Sequence, residues 1–231
     1  QRQMCIRDRS TGMSATIDLR REMGKQTYVP VRSGTLSFKT LIDRNRFDFS
    51  RDIVKEPNLT LFFDELIAHF PRARFAFVLR DPRDTIRSQL NRMRLAGNLP
   101  DLKPSQRNGM DAGFALLLDG RWCGIDTGSH YIEQLAGRWA LIAGVYASHP
   151  RKIQLIQYEH FLQDKVTAIE QLALQLNLVP GHDISDKVDI QFQEKGDNSA
   201  SWIEFYGHEN LSRIEQICGS LMQQFGYEPS I

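Results

Sequence analysis

An arginine and a serine, Arg80 and Ser88, stand eight positions apart in the stretch Pro71 to Met93, PRARFAFVLRDPRDTIRSQLNRM. A guanidinium presents a planar fork of donors, and a hydroxyl adds one more. Two such groups converging near a helix N-terminus make an anion site suited to phosphate. The elements that would bring them together can be read from their neighbours. Phe75 to Leu79, FAFVL, is a short apolar run of aromatic and branched residues, which suits a strand buried on both faces of a parallel sheet. Arg80-Asp-Pro-Arg-Asp84 ends that run. Asp81 as cap, Pro82 at the first helical position and Asp84 three residues after the cap predict a helix start. The helix puts Ile86, Leu90 and Met93 on one face, and Ser88 lies about 200° round from Ile86 at roughly 100° per residue, away from it. Arg80 thus ends a strand and Ser88 looks out from the next helix. In open α/β sheets ligands bind at that carboxyl edge of the strands. Seven arginines fall from Arg72 to Arg94 against only Asp81 and Asp84 as acids. An ordinary strand-to-helix turn with solvated arginines fits the same residues, so composition leaves both readings open.

Length and composition set bounds. The chain has 231 residues, enough for one α/β domain, and 41% hydrophobic with 25% charged residues is a globular mixture. A net charge of +1 gives no global field for nucleic acid or an anionic membrane. The longest apolar run, Trp139 to Tyr146, is too short to span a bilayer. Cys5, Cys123 and Cys218 are odd in number and widely spaced, which fits neither a metal site nor a disulfide framework and points to a reducing, cytoplasmic setting.

Arg80-x-Pro-x-Asp-x-x-x-Ser88 resembles the motif with which sulfotransferases bind the 3′-phosphate of 3′-phosphoadenosine 5′-phosphosulfate (PAPS). Three neighbours strengthen the resemblance. Val54-Lys-Glu-Pro57 is similar to the family's K-x-P strand end, Gln157-Tyr-Glu-His-Phe161 to its YEDL segment, and Phe225-Gly-Tyr-Glu-Pro229 to the GY-x-P ending of the bacterial and protein-tyrosine branches. The similarity runs from about Ile53 to Pro229. It implies an α/β, P-loop-NTPase-like sulfotransferase fold with a parallel sheet flanked by helices. It also implies PAPS as co-substrate, with Arg80 and Ser88 on the 3′-phosphate, Lys55 facing the sulfuryl group or the acceptor, and Tyr158 near the nucleotide. A basic loop closes over the 3′-phosphate in relatives, and Lys195 in the polar stretch Gln191 to Ser201 stands at that place.

The N-terminal part departs from the pattern. Gln1 to Arg9, QRQMCIRDR, has no signal-peptide layout and looks like adapter sequence fused to a reading frame, so 1–10 is set aside as a non-native leader and 11–231 is expected to be a single domain. The family's other motif, a strand followed by P-[KR]-S-G-T-T that cradles the 5′-phosphosulfate, has one counterpart, Arg32-Ser-Gly-Thr35. Pro30 interrupts the strand that should precede it, and only about twenty residues separate it from Lys55, so either it is a degenerate phosphate loop or it is a connector and the true loop and first strand lie upstream of this chain.

Elsewhere the patterns are local. Asp52 to Lys55 reads as a short strand, and Pro57 opens a helix with Leu59, Phe62, Phe63, Leu66, Ile67 and Phe70 on its apolar face. The glycine-punctuated stretch 95–129 reads as a lid or acceptor loop, with a short helix near Phe114 to Leu118 and Trp122 either packed or lining a pocket. A helix follows over His130 to Ser148, then a strand over Lys152 to Gln157 that delivers Tyr158 to the ligand edge. Asp164 to Leu176 is predicted helical, and Pro180-Gly181 stops it. Asn210 is expected to cap a last helix with Leu211, Ile214, Ile217, Leu221, Met222 and Phe225 inward, ending at a left-handed Gly226.

The implied chemistry is in-line transfer of a sulfuryl group from PAPS to a hydroxyl or amine acceptor, governed by positioning and charge neutralisation and needing no metal. No general base maps onto this chain, and Glu56, before Pro57, reads more readily as a helix-start carboxylate. Two other readings stay open: a P-loop-like small-molecule kinase, which would need Arg32 to Thr35 to hold a triphosphate, and a non-catalytic nucleotide-binding module.

Overall fold

The structure, a computed structural model, describes residues 28–125, 130–179, 183–190 and 199–230. The 1–10 leader, Pro180-Gly181 and Lys195 lie outside the described residues. The described chain is of the α/β class, a mixture of helices with a small parallel sheet, and it divides into two compact units: 28–72 with 100–142, and 73–99 with 143–230.

The first unit is helical. Short helices at Val29–Arg32, Phe38–Arg44 and Arg46–Phe49 lead into a 3-10 turn at Pro57–Phe62 and a helix at Phe63–His69. Ser37 starts the second helix by accepting a hydrogen bond from the Thr40 amide at 3.0 Å, and Phe38, Leu41 and Ile42 form its buried face. Asp52 to Lys55 form no strand, contrary to expectation. A lone extended run has no ladder to join, and the parallel sheet of the described residues has only two strands. The single helix expected from Pro57 is split as well. The two pieces meet at Phe62, whose φ of −122° and ψ of 35° leave helical backbone, and Leu61, Phe62 and Phe63 are all buried across that break.

Stretch 100–125 is less irregular than its glycines suggest. It holds helices at Pro104–Asn108 and Ala112–Leu117 and a 3-10 turn at Gly120–Cys123. Trp122 is packed: its indole N–H donates to the Leu116 carbonyl at 3.0 Å, and its ring stacks on Tyr28 at 6.3 Å, which in turn stacks on Phe62 at 6.0 Å.

The second unit carries the sheet. Strand β1, Phe75–Leu79, pairs in parallel with β2, Ile153–Gln157, in the register Phe75↔Ile153 through Leu79↔Gln157. The Pro82–Met93 helix follows β1, and Tyr158–Gln163 then Lys165–Gln175 follow β2. The core collects Leu79, Ile86 and Leu90 with Leu211, Ile214, Cys218 and Met222 of the long C-terminal helix, Trp202–Gln224. Lys165–Gln175 has the predicted length but no fully buried residue, and Leu174 is 63% exposed, so its apolar face only skirts the unit.

The C-terminal helix begins earlier than Asn210. Ser201 caps it in a reciprocal box with Glu204, and the helix breaks at Gly207, whose φ of 69° and ψ of 168° suit glycine alone. Asn210 is therefore no cap. It is buried within the helix and its amide donates to the carbonyls of Gly97 and Leu99 at 2.7 and 3.0 Å. Gly226, at φ 76°, ends the helix as expected, with the Tyr227 amide bonded back to the Met222 carbonyl.

Candidate functional site

The parallel register decides which side chains leave the sheet together. Because Leu79 pairs with Gln157, the next residues, Arg80 and Tyr158, emerge side by side at the carboxyl ends of β1 and β2. The Arg80 guanidinium carbon lies 4.9 Å from the centre of the Tyr158 ring, within cation–π range. The Arg80 side chain keeps 12% of its surface exposed, and Tyr158 is buried.

Immediately after Arg80 the chain turns into its helix as the sequence predicts. Asp81 accepts the Arg83 amide at 2.8 Å, and Pro82 occupies the first helical position. Asp84, however, does not reach back to the Asp81 amide to complete a capping box. That amide donates instead to Glu159 at 2.9 Å, 78 residues away in sequence. The second Glu159 oxygen accepts the Tyr227 hydroxyl at 2.9 Å. Burial and the adjacent Glu159 charge push the Tyr227 phenol far above its ordinary range, so it stays a donor. Glu159 and Tyr227 belong to the two segments, Gln157 to Phe161 and Phe225 to Pro229, that the sequence marks by resemblance. They meet here.

With the capping duty taken by Glu159, Asp84 is turned outward among cations. One oxygen accepts Arg87 at 2.6 Å and the Trp202 indole at 2.9 Å, and the other accepts Arg80 at a looser 3.3 Å. Arg87 also donates to the Ala200 carbonyl at 2.8 Å. Arg83 is buried between two acids. It forks onto both Asp81 oxygens at 3.0 and 2.6 Å, reaches Glu215 at 2.8 Å, and lies 3.8 Å from the centre of the Trp202 ring. Burial alone would lower its pKa, but the hydrogen bonds and charges of Asp81 and Glu215 prevail and raise it.

The arginine-rich appearance of the motif thus resolves into different roles. Arg83 and Arg87 are buried structural cations. Arg72, Arg74, Arg92 and Arg94 are exposed. Among the described residues at the strand tips, three guanidinium groups (Arg80, Arg83, Arg87) share the ground with four carboxylates (Asp81, Asp84, Glu159, Glu215), so their charges largely offset one another. Ser88, two turns into the helix, is half-buried, whereas Ile86 and Leu90 are fully enclosed, as the helical spacing requires.

Lys55 belongs to the first unit, half-buried in the irregular stretch before Glu56. Glu56 is buried and caps the Pro57 turn by accepting the Asn58 amide at 2.9 Å, the helix-start role its position suggested. In the same unit Arg138 is enclosed, bonded to the Asn58 side chain and 3.9 Å from the Cys123 sulfur, and burial lowers its pKa. Arg32 to Thr35 follows a helical turn rather than a strand. The hydroxyls of Ser33 and Thr35 both bond the Pro30 carbonyl, at 3.1 and 3.2 Å, and Gly34 takes φ 77° to close the turn. Both hydroxyls are thus turned onto the chain's own backbone, although Ser33 and Thr35 are themselves exposed.

A sequence model described as the sulfotransferase family matches residues 11–179. The chain belongs to the sulfotransferase family. The family match takes in Lys55, Arg80, Ser88 and Tyr158, begins well upstream of Ile53, and ends before Lys195 and Tyr227. No curated protein and no solved structure gives a match. Sulfotransferase membership supports sulfuryl transfer as the general activity, and no helix among the described residues is long and apolar enough to cross a membrane.

Proposed function

We propose that this sulfotransferase uses PAPS as donor and sulfates a hydroxyl or amine. The acceptor oxygen or nitrogen attacks sulfur, the bond from sulfur to the 5′-phosphate oxygen breaks, and 3′-phosphoadenosine 5′-phosphate leaves as the acceptor loses its proton. In this reading Arg80 and Ser88 hold the 3′-phosphate, Tyr158 packs beside the nucleotide, and Lys55 neutralises charge on the transferring group. Lys195, outside the described residues, would add a second cation to the 3′-phosphate.

The observation that carries the reading is the pairing of Arg80 and Tyr158 at adjacent strand tips, at the edge where α/β sheets bind ligands. The residues present also fit an anion. Asp84 is already satisfied by Arg87 and Trp202 and holds Arg80 only at 3.3 Å, so Arg80 can turn to a phosphate without stranding a buried carboxylate. Cys123 and Cys218 are buried as thiols, which agrees with a reducing, cytoplasmic setting.

Calorimetric titration tests this. The chain is expected to bind 3′-phosphoadenosine 5′-phosphate more tightly than adenosine 5′-monophosphate, with Arg80→Ala removing the preference, and to transfer sulfate from PAPS in the presence of EDTA. A preference for Mg·ATP over the 3′-phosphorylated nucleotide would favour a kinase. Binding with no transfer to any acceptor would leave a nucleotide-binding module.

A further inference from the structure

We infer that Glu159 and Tyr227 are a positioning pair that fixes the angle at which Arg80 meets a 3′-phosphate. The inference rests on the donor assignment above and adds residues that the Arg80–Ser88 motif does not contain.

The argument starts from the Asp81 amide. A helix N-cap residue leaves its own N–H outside the helix, and a residue three positions into the same helix ordinarily satisfies it. Here that residue is Asp84. If Asp84 reached back, it could not also face Arg80, Arg87 and Trp202. Glu159 takes the amide at 2.9 Å and so leaves Asp84 to Arg87 and Trp202, with only a loose 3.3 Å contact to the Arg80 guanidinium. The dipeptide Tyr158-Glu159 therefore acts on Arg80 twice. The Tyr158 ring lies against its guanidinium, and Glu159 pins the peptide that follows it.

A half-buried carboxylate on one hydrogen bond could rotate. The Tyr227 hydroxyl on the second oxygen removes that freedom, and the phenol is itself buried. The segment that carries Tyr227 is anchored in turn. Gln157 donates to the Phe225 carbonyl at 2.8 Å, and the Ser230 amide and hydroxyl donate to Glu215 at 3.0 and 2.6 Å, on the acid that also holds Arg83. The C-terminal residues thereby set the geometry of a strand tip that they do not join.

A positioning role has a signature that general support of the fold lacks: it affects only ligands that Arg80 touches. Tyr227→Phe is expected to weaken binding of 3′-phosphoadenosine 5′-phosphate about fivefold, the loss of roughly one hydrogen bond, while adenosine 5′-monophosphate changes less than twofold. In an Arg80→Ala background the same substitution should have no further effect on either nucleotide. Glu159→Gln, which keeps the shape but not the charge, should act in the same direction and gives the same readout if Tyr227→Phe folds poorly. Equal weakening of both nucleotides, or an undiminished effect without Arg80, overturns the pair. A wild-type chain with no preference for the 3′-phosphorylated nucleotide overturns the donor assignment itself, and the pair's role with it.

Discussion

The arginines of the motif separate by what their removal would cost. Arg83 is enclosed with Asp81 and Glu215, and taking it away leaves a buried and a half-buried carboxylate facing each other's charge. Arg83→Ala should therefore lower stability by about 3–5 kcal/mol, read from urea or thermal unfolding. Ser88 is half-buried on a helix surface, so Ser88→Ala should leave stability within about 0.5 kcal/mol while weakening 3′-phosphoadenosine 5′-phosphate binding about fivefold. A Ser88 variant that binds normally would remove that residue from the site. This division could not be read from the sequence, where seven arginines faced only two acids. Glu215, which pairs with Arg83, lies 132 residues from it, and Glu159 lies 78 residues from the Asp81 amide it accepts, beyond any local pattern. The cap at Asp81 and the start at Pro82 were legible because an N-cap and its helix are a few residues apart.

Elements were legible where their signal was complete within themselves. The β1 and β2 runs each announce a strand, whereas their direct pairing and register come from the structure alone. Residues 52–55 looked equally extended, but a strand exists only if a neighbour supplies hydrogen bonds. The C-terminal helix shows the converse limit. Its apolar periodicity marked Leu211, Ile214 and Met222 as core, yet the break at Gly207 leaves no periodic trace. Two glycines of that helix now make opposite predictions. A side chain at Gly207 would meet no atom closer than 4.0 Å but would be forced into a backbone region that other residues avoid. Gly207→Ala should cost about 1–3 kcal/mol. Gly219 sits in regular helix with open space around its would-be Cβ, so Gly219→Ala should add up to about 1 kcal/mol. Thermal melts of the two variants should move in opposite directions; a shared direction would mean that the break at Gly207 is not a fixed part of the fold.

At the scale of the whole molecule the charges almost cancel at pH 7, at a net +1, but acid neutralises the 28 Asp and Glu and leaves the 29 Lys and Arg positive, so the part played by particular ion-paired groups is read by comparing variants that share this general repulsion. Glu215 is the clearest of them. Burial pushes its carboxyl up, but the Ser230 hydroxyl and amide and the Arg83 guanidinium outweigh burial and hold it below its ordinary 4.5. A carboxyl with a lowered folded pKa stabilises the fold fully above its unfolded value, and that stabilisation disappears as pH falls through the folded value. Glu215→Gln cannot titrate and weakens both the Arg83 and Ser230 contacts. The wild type should therefore exceed this variant by about 1–3 kcal/mol at pH 7, with the gap intact down to about pH 5. Below the ordinary 4.5 the gap should narrow steadily as Glu215 takes up its proton. Urea unfolding of both proteins at several pH values between 7 and 3 measures it directly. A gap that widens toward acid, or one that stays constant to pH 3, would mean that Glu215 does not carry its charge against Arg83 in the folded chain, and the buried acid–base network beneath the strand tips would have to be redrawn.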